Sequence, residues 1–571
     1  MPSTAKVREK KCAEREMLIS DMENLLGYPD DHPEDQEIIM TSPQEIVSRF
    51  KSRQEGWSVE RVVSAYRLSK ADGKIRAACA AHRKTNCLTE VLFTEALDEA
   101  RQKDKELASG VQPDGPFWGL PSSFKDTFNI AGVDTSLGCS MHTSQPSTLD
   151  DELGLVKLYR QGGGIPFCKT NVPQTLLAFE CCNPIFGRTT NPHASDRTCG
   201  GSSGGEAVMV VLRGTPLGWG NDTGGSVRIP AAYSGCCGLK PVRGRLPFRG
   251  TRRSVKGFEG IKTMHGPIAR NVTDLIYQTR SITQLALAFP SSGEDLIPLP
   301  WTEPNLPKKL KIGYMIEDGC VKTSPACARA VNVCVERLRA AGHEVVIFHP
   351  PPSERSCQCF VALTSAERYS QLLSNVGSDE LEESMKLVVL GSKMPGWVQW
   401  AAQWFVRHIL KDEIFGGAFA VSRGKSVPEY WEWTYRRDMY AQQFREAAWD
   451  VGQFDALICP VMATPALKHG KTKFLSPLAI WCILFNIVEA TVGTLPVTRV
   501  DPSLDVHPSD FLKDSTGSWI LEKRVYTGPD AAYDASAMAG LPVGVQVVGK
   551  MWKEEKVLGI MSLLEGLVGY Q

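Results

Sequence analysis

Two glycine-rich segments hold the residue types best suited to chemistry: Cys199-Gly200-Gly201-Ser202-Ser203-Gly204-Gly205-Glu206 and Gly218-Trp219-Gly220-Asn221-Asp222-Thr223-Gly224-Gly225-Ser226-Val227-Arg228-Ile229-Pro230. Each contains Gly-Gly-Ser, and the two units lie 24 residues apart with a short apolar helix, Ala207 to Leu212, between them. Glycine lets the backbone approach a ligand closely, so Gly224 and Gly225 can aim consecutive N–H groups at one point. Such a nest suits an oxyanion or a phosphate. A nucleotide loop is disfavoured, because neither segment supplies the Lys-Ser or Lys-Thr of G-x-x-x-x-G-K-[ST]. Gly201 to Gly205 matches the G-x-S-x-G nucleophile elbow, but that elbow follows a strand and here Asn191 to Arg197 is loop chemistry. A flexible turn is the bland alternative, and two such clusters this close weaken it.

The elements that must hold these loops are strands and helices in alternation. Gly119 to Phe124 and Ile165 to Cys168 read as short strands, separated by the helical pattern Leu153 to Tyr159, and this spacing predicts an α/β organisation. Phe454 to Pro460 and Val543 to Val548 read as later strands of the same sheet, the second followed by a helix from about Lys553. Upstream, residues 1 to about 40 are charged and weakly patterned and predict a loosely attached lead-in followed by short helices. Helices are expected from Ser42-Pro43, from Ser58, and over Leu92, Ala96, Leu97 and Ala100. Residues 290–450 open with a proline-rich stretch and turn helical. There Trp397, Trp400 and Trp404 share one helical face, for which core or helix packing is the preferred reading and the aromatic wall of a site the other.

Composition narrows the class. Lys plus Arg equals Asp plus Glu at 64 each, so no single-sign field draws the 571-residue chain to nucleic acid or anionic lipid. The 17 cysteines, many in apolar runs, read as reduced buried thiols of a cytoplasmic protein. Met1 to Asp21 lacks the apolar run of a secretory signal, and Leu478 to Ile487 is too short to span a bilayer. Cys357-Gln358-Cys359 and the vicinal pairs Cys181-Cys182 and Cys236-Cys237 lack zinc spacing, so no metal is expected.

The two glycine segments resemble the amidase signature family of serine hydrolases, and in detail the fungal acetamidases and general amidases. Gly200 to Gly205 and Asp222 to Pro230 match that family's GGSSGG and D-x-GGS-[IV]-R-x-P. Similar matches are Gly119-Leu120-Pro121 with Phe124-Lys125-Asp126, Lys169 to Gln174, Phe186 to Pro192, Gly238-Leu239-Lys240-Pro241 and Leu541 to Gln546. The resemblance spans roughly residues 89–560 and is weak over 290–450. It implies an α/β amidase signature fold, with a central mixed sheet covered by helices on both faces, an N-terminal helical segment over 1–88 and a helix end over 561–571. It implies no cofactor, a small-molecule amide as partner, and leaves a homodimer open.

The resemblance further implies a Ser-Ser-Lys triad: Ser226 as nucleophile, Ser202 as bridging serine after a cis peptide, and Lys125 as base. The amides of Thr223, Gly224, Gly225 and Ser226 would line an oxyanion hole, with Ser202 also bordering substrate. The activity implied is cleavage of a linear carboxamide to a carboxylate and ammonia or amine. An ester, a fatty acid amide, a specialised metabolite or an acyl acceptor other than water are the alternatives, and a silent interaction protein is the rival outside enzymes. For a lysine to serve as base its pKa must fall toward neutrality, so Lys125 should be buried. Asp222 and Arg228 read as a pair bracing the loop. Ser203 reads as a backbone support, and none of the ten histidines falls in these motifs. Asn221 and Thr223 depart from the usual threonine and isoleucine, which bears on specificity.

Overall fold

The computed structural model describes residues 3–25, 33–67, 70–71, 74–75, 78–289 and 296–570. Eleven strands form the principal sheet: β1 (Leu88–Val91), β2 (Pro121–Lys125), β3 (Ile165–Thr170), β4 (Gly218–Asp222), β5 (Cys237–Lys240), β6 (Met264–Ala269), β7 (Lys311–Tyr314), β8 (Glu344–Ile347), β9 (Ala456–Pro460), β10 (Thr491–Arg499) and β11 (Pro542–Gly549). Their spatial order is β8-β7-β9-β11-β10-β5-β6-β4-β2-β3-β1. The sheet is mixed. β3, β2 and β4 run parallel, as do β9, β7 and β8, while β6, β5, β10 and β11 form an antiparallel centre. Helices flank it, among them Gly204–Val211, Val272–Ala288, Pro325–Ala340 and Glu554–Val568.

β2 is buried at all five positions although it reads Pro-Ser-Ser-Phe-Lys. Polar groups inside a sheet must find partners. Ser122 Oγ donates to Leu217 O at 2.9 Å and Ser123 Oγ to Glu206 Oε2 at 2.7 Å. The apolar core falls into two large clusters. One joins the N-terminal helices to β2, β3 and β4 through Phe124, Phe167 and Trp219, and the other gathers around β9, β10 and β11. The loop from Thr223 to Val227 leaves Trp219 in the first and reaches Ile229 in the second.

The helix starts expected upstream are present. Ser42 Oγ accepts from the Glu45 amide at 3.2 Å and Ser58 Oγ from the Arg61 amide at 3.1 Å, capping Pro43–Lys51 and Val59–Arg67. Phe93–Ala108 buries Phe93, Ala96, Leu97 and Ala100. The expected loose lead-in is corrected: Thr4–Leu25 is a helix whose residues Val7, Lys11, Arg15 and Ile19, four apart, form one buried face. Lys11 Nζ lies 2.7 Å from Glu90 and 3.1 Å from Asp134, and Arg15 donates to Leu88 O at 2.8 Å. Two of the four anchors are cations, so an apolar pattern could not disclose them. Lys11→Met should lower unfolding stability by about 3 kcal/mol, because it leaves two carboxylates without their cation. A denaturant midpoint that does not move would refute this clamp.

Residues 290–450 are mostly helical, yet they also contribute β7 and β8, which reading by helical period overlooked. The preferred packing role of the tryptophans is corrected as well. On the helix Gly396–Trp404, Trp397, Trp400 and Trp404 are 75%, 62% and 45% exposed. The buried residue of that helix is Gln399, whose Nε2 donates to Phe419 O and Ser422 O. Periodicity showed that the indoles share a face, but the opposite face, carrying Gln399, is the one turned inward. Among the described residues no helix is long and apolar enough to cross a membrane.

Candidate active site

β2 and β4 run side by side, with Phe124 opposite Trp219, so Lys125 and Asn221 arrive at the same end of the sheet. The helix Gly204–Val211 packs across these strands, and Ser202 and Ser203 precede its first turn. The Gly201–Ser202 peptide bond is cis. Lys125 Nζ lies 2.7 Å from Ser202 Oγ and 2.6 Å from Asn221 Oδ1. Lys125 is fully buried, and the loss of hydration pushes its pKa down from the usual 10.5 to about 7 against the opposing pull of Asp222 and Glu206.

Two residues that sequence reasoning did not place beside Lys125 are now evident. Asn221 donates from Nδ2 to Thr127 Oγ1 at 2.9 Å, which turns its carbonyl oxygen toward Lys125. Its departure from the family's threonine marked the position but not this contact. Glu206 is fully buried and accepts from Ser123 Oγ and Thr170 Oγ1, each at 2.7 Å, tying β2 to β3 beside Lys125. Burial pushes its carboxyl up to about 7 despite those two hydroxyls. A glutamate in a glycine-rich run carries no pattern that separates it from a surface charge.

The loop around Ser226 is built on an ion pair with no exposure. Asp222 and Arg228 meet through Oδ1–Nη2 at 2.9 Å and Oδ2–Nε at 3.0 Å. Asp222 also accepts from the amides of Gly225 at 2.9 Å and Val227 at 3.1 Å and from Asn486 Nδ2 at 3.0 Å. Arg228 reaches on to Cys482 O and Gln546 Oε1. Burial alone would raise the Asp222 carboxyl, but the adjoining guanidinium overrides it and holds the group well below the carboxylate range. Gly225 has φ +113°, a conformation that a side chain disfavours, and a β-carbon there would strike Cys482.

These anchors sort the four amides expected to line the hole. That of Gly225 is engaged by Asp222. Those of Thr223, Gly224 and Ser226 have no protein acceptor among the described residues. The same three are the residues of Gly218–Pro230 that keep some exposure, while the rest of the segment is buried. Ser203 supports the loop from behind, its amide donating to Ser226 O at 3.0 Å. Thr223 Oγ1 lies 2.7 Å from Thr263 Oγ1. Next to Gly224 stand Phe360 and Ile483, which a β-carbon there would meet at 3.2 and 3.5 Å, so the insertion, through Phe360, and the helix Ile480–Ile487, through Ile483, together wall the cleft beside this loop. Among the described residues no group of His, Cys, Asp or Glu is placed to hold a metal ion.

A large mixed sheet presenting a buried lysine–serine contact under a loop of open amides is the architecture of a hydrolase of the amidase signature type, and comparison with known proteins agrees. The Amidase family profile matches residues 74–558. The chain is 32% identical over 496 residues to a fatty acid amide hydrolase 1 of Caenorhabditis elegans, covering 85% of this chain and 82% of the relative. It is 30% identical over 510 residues to an acetamidase of Emericella nidulans, covering 86% and 85%. Among solved structures, a fatty acid amide hydrolase superposes with a TM-score of 0.81 at 24% identity, covering 95% of this chain and 87% of that one. A bacterial aryl acylamidase superposes with a TM-score of 0.68 at 20% identity, covering 93% and 96%. The chain belongs to the amidase family and is an amide-hydrolysing enzyme.

Proposed function

We propose that the protein cleaves a carboxamide through an acyl-enzyme on Ser226, with Ser202 and Lys125 as the proton relay. The observation that carries this reading is the Lys125 Nζ to Ser202 Oγ contact of 2.7 Å inside a fully buried site. A neutral lysine takes the Ser202 proton while Ser202 takes that of Ser226. The freed Ser226 Oγ bonds to the carbonyl carbon, and the carbonyl electrons move to oxygen. The open amides of Thr223, Gly224 and Ser226 would receive that oxyanion, each such donor being worth about 2.7–4 kcal/mol in comparable hydrolases. Collapse breaks the C–N bond as the proton returns through Ser202 to the leaving nitrogen. Water then cleaves the ester by the same relay, giving carboxylate and ammonia or amine. No step calls for a cofactor.

Because the neutral form of Lys125 is the base, activity should follow its deprotonation. With its pKa near 7, kcat/KM is expected to fall about tenfold per pH unit below about pH 7 and to level off above it. A profile flat from mildly acidic to mildly alkaline pH would exclude Lys125 as the base. The apolar wall of Phe360 and Ile483 beside Gly224 favours an acyl group with an aliphatic or aromatic body over acetamide itself. That reading accords with relatives named for fatty acid amides as well as for acetamide. The 17 free thiols, 15 of them buried, support a reducing, cytoplasmic setting.

The direct test is labelling of the purified protein with a fluorophosphonate and mass mapping of the modified peptide. Label on Ser226, absent from Ser226→Ala and Lys125→Ala, is the expected result. Label on Ser203 would replace this mechanism with an elbow-type nucleophile. A screen of ammonia release from short, aryl and fatty amides then orders the substrates.

A further inference from the structure

The segment from Arg243 to Thr263 reaches the open-amide loop where Thr263 meets Thr223, and it carries a cluster of cations that the reaction above does not use. The guanidinium of Arg243 sits 4.3 Å and that of Arg253 4.4 Å from the centre of one ring, the buried Phe248. Among the described residues Arg253 makes no ion pair and no hydrogen bond, and Arg243 makes one long bond of 3.4 Å to Thr263 O. The neighbouring charges are engaged elsewhere or face water. Lys262 pairs with Glu489 at 3.3 Å, Arg252 donates to Thr135 O at 3.0 Å, and Glu259 is exposed. Two like charges held on one ring and partly removed from water repel each other unless an anion joins them. Burial, and then the charge of Arg243, hold the Arg253 guanidinium below its usual pKa against the weaker opposing pull of Glu259.

Their position is set from two sides. Thr263, which takes the Arg243 bond, touches Thr223 of the open-amide loop through hydroxyls 2.7 Å apart. The strand of chain carrying Arg253 is pinned by the Arg252 amide to Thr127 O at 3.1 Å, and Thr127 Oγ1 holds the Asn221 that contacts Lys125. Its other side is tied by Ser254 Oγ to Thr175 O. We propose that Arg243 and Arg253 form an anion-recognition site on the rim of the cleft, selecting amide substrates that carry a carboxylate or phosphate group remote from the scissile bond. The proposal rests on Ser226 being the nucleophile. Paired guanidiniums offer planar, multiple N–H donors matched to such oxyanions, and an overall formal charge of zero makes this a local feature rather than a property of the whole surface.

The test uses a homologous series of fluorophosphonates of increasing chain length, each made with a terminal carboxylate and with the isosteric terminal carboxamide. The readout is the ratio of second-order labelling rates within each pair. At the best length the full chain should prefer the carboxylate by about tenfold or more at low salt. The ratio should fall to about unity in Arg243→Gln and Arg253→Gln, recover in part in Arg253→Lys, and persist in Lys256→Gln, which removes an exposed charge nearby. A ratio near unity at every length, or one indifferent to both glutamine variants, overturns the proposal. Thermal melting of each variant separates misfolding from loss of recognition. If neither member of any pair labels Ser226, the nucleophile reading fails by itself. Calorimetric binding of the same pairs to Ser226→Ala then decides the anion site, with tighter binding of the carboxylate supporting it and equal binding refuting it.

Discussion

Ser226→Ala is expected to lower amide turnover by about a millionfold, the scale on which removal of a nucleophile acts in a well-studied serine hydrolase. The fold should survive, because among the described residues no hydrogen bond of Ser226 passes through its hydroxyl: its carbonyl, which the variant keeps, accepts the Ser203 amide. Lys125→Ala should come close to the same loss by a different route. It removes the proposed base and strands Ser202 Oγ and Asn221 Oδ1, the two atoms that Lys125 Nζ meets at 2.7 and 2.6 Å. The effects of the two substitutions should not add, since either one disables the same relay. Steady-state ammonia release and single-turnover labelling measure both. A double variant far slower than either single one would show that Lys125 and Ser226 act independently and would remove the relay from the mechanism.

The second large effect is structural. Asp222→Ala should destabilise the protein by about 3–5 kcal/mol, since it leaves the fully buried Arg228 without its carboxylate. It also strips the acceptor from the amides of Gly225 and Val227, which frame Ser226 on either side. Activity should therefore fall even in the fraction that stays folded, through kcat rather than KM. Denaturant unfolding gives the first quantity and kinetics on the folded fraction the second. The sign of the pH dependence follows from the carboxyl lying well below its unfolded value: the contribution of Asp222 is fully present above about pH 4 and is lost as pH falls through the lower, folded pKa. An Asp222→Ala midpoint equal to that of the parent would mean that Arg228 is held by Cys482 O, Gln546 and Asn486 alone.

Particular elements explain how far each level of reading reached. β2, β3, β9 and β11 were legible because short β-like runs bounded by turn residues fell at α/β spacing, and the helix Phe93–Ala108 because its apolar residues follow the helical period. The sense of Thr4–Leu25 was not, since half of its buried face is charged and becomes intelligible only with Glu90 and Asp134 in place. The exposed Trp397, Trp400 and Trp404 teach the complementary lesson: a period shows that residues share a face and is silent on which way the face turns. The contact of Asn221 with Lys125 and the place of Glu206 beside it were invisible because the atoms they meet come from segments distant in the chain.

The sequence by itself determined the chemistry available to this protein: glycine pairs that free the backbone, serines within them, a lysine at the end of a short strand, and motifs that mark the amidase family. Only the tertiary structure decided which amides stay open, which carboxylate steadies the loop and which amide oxygen meets Lys125. Residue type and local spacing set what a group can do, and these suffice for motifs read along one segment. Hydrogen bonds between Lys125, Ser202 and Asn221 join positions separated by 77 and 96 residues, so partnership and burial, and with them the lowered pKa, arise only when the sheet brings β2 and β4 together.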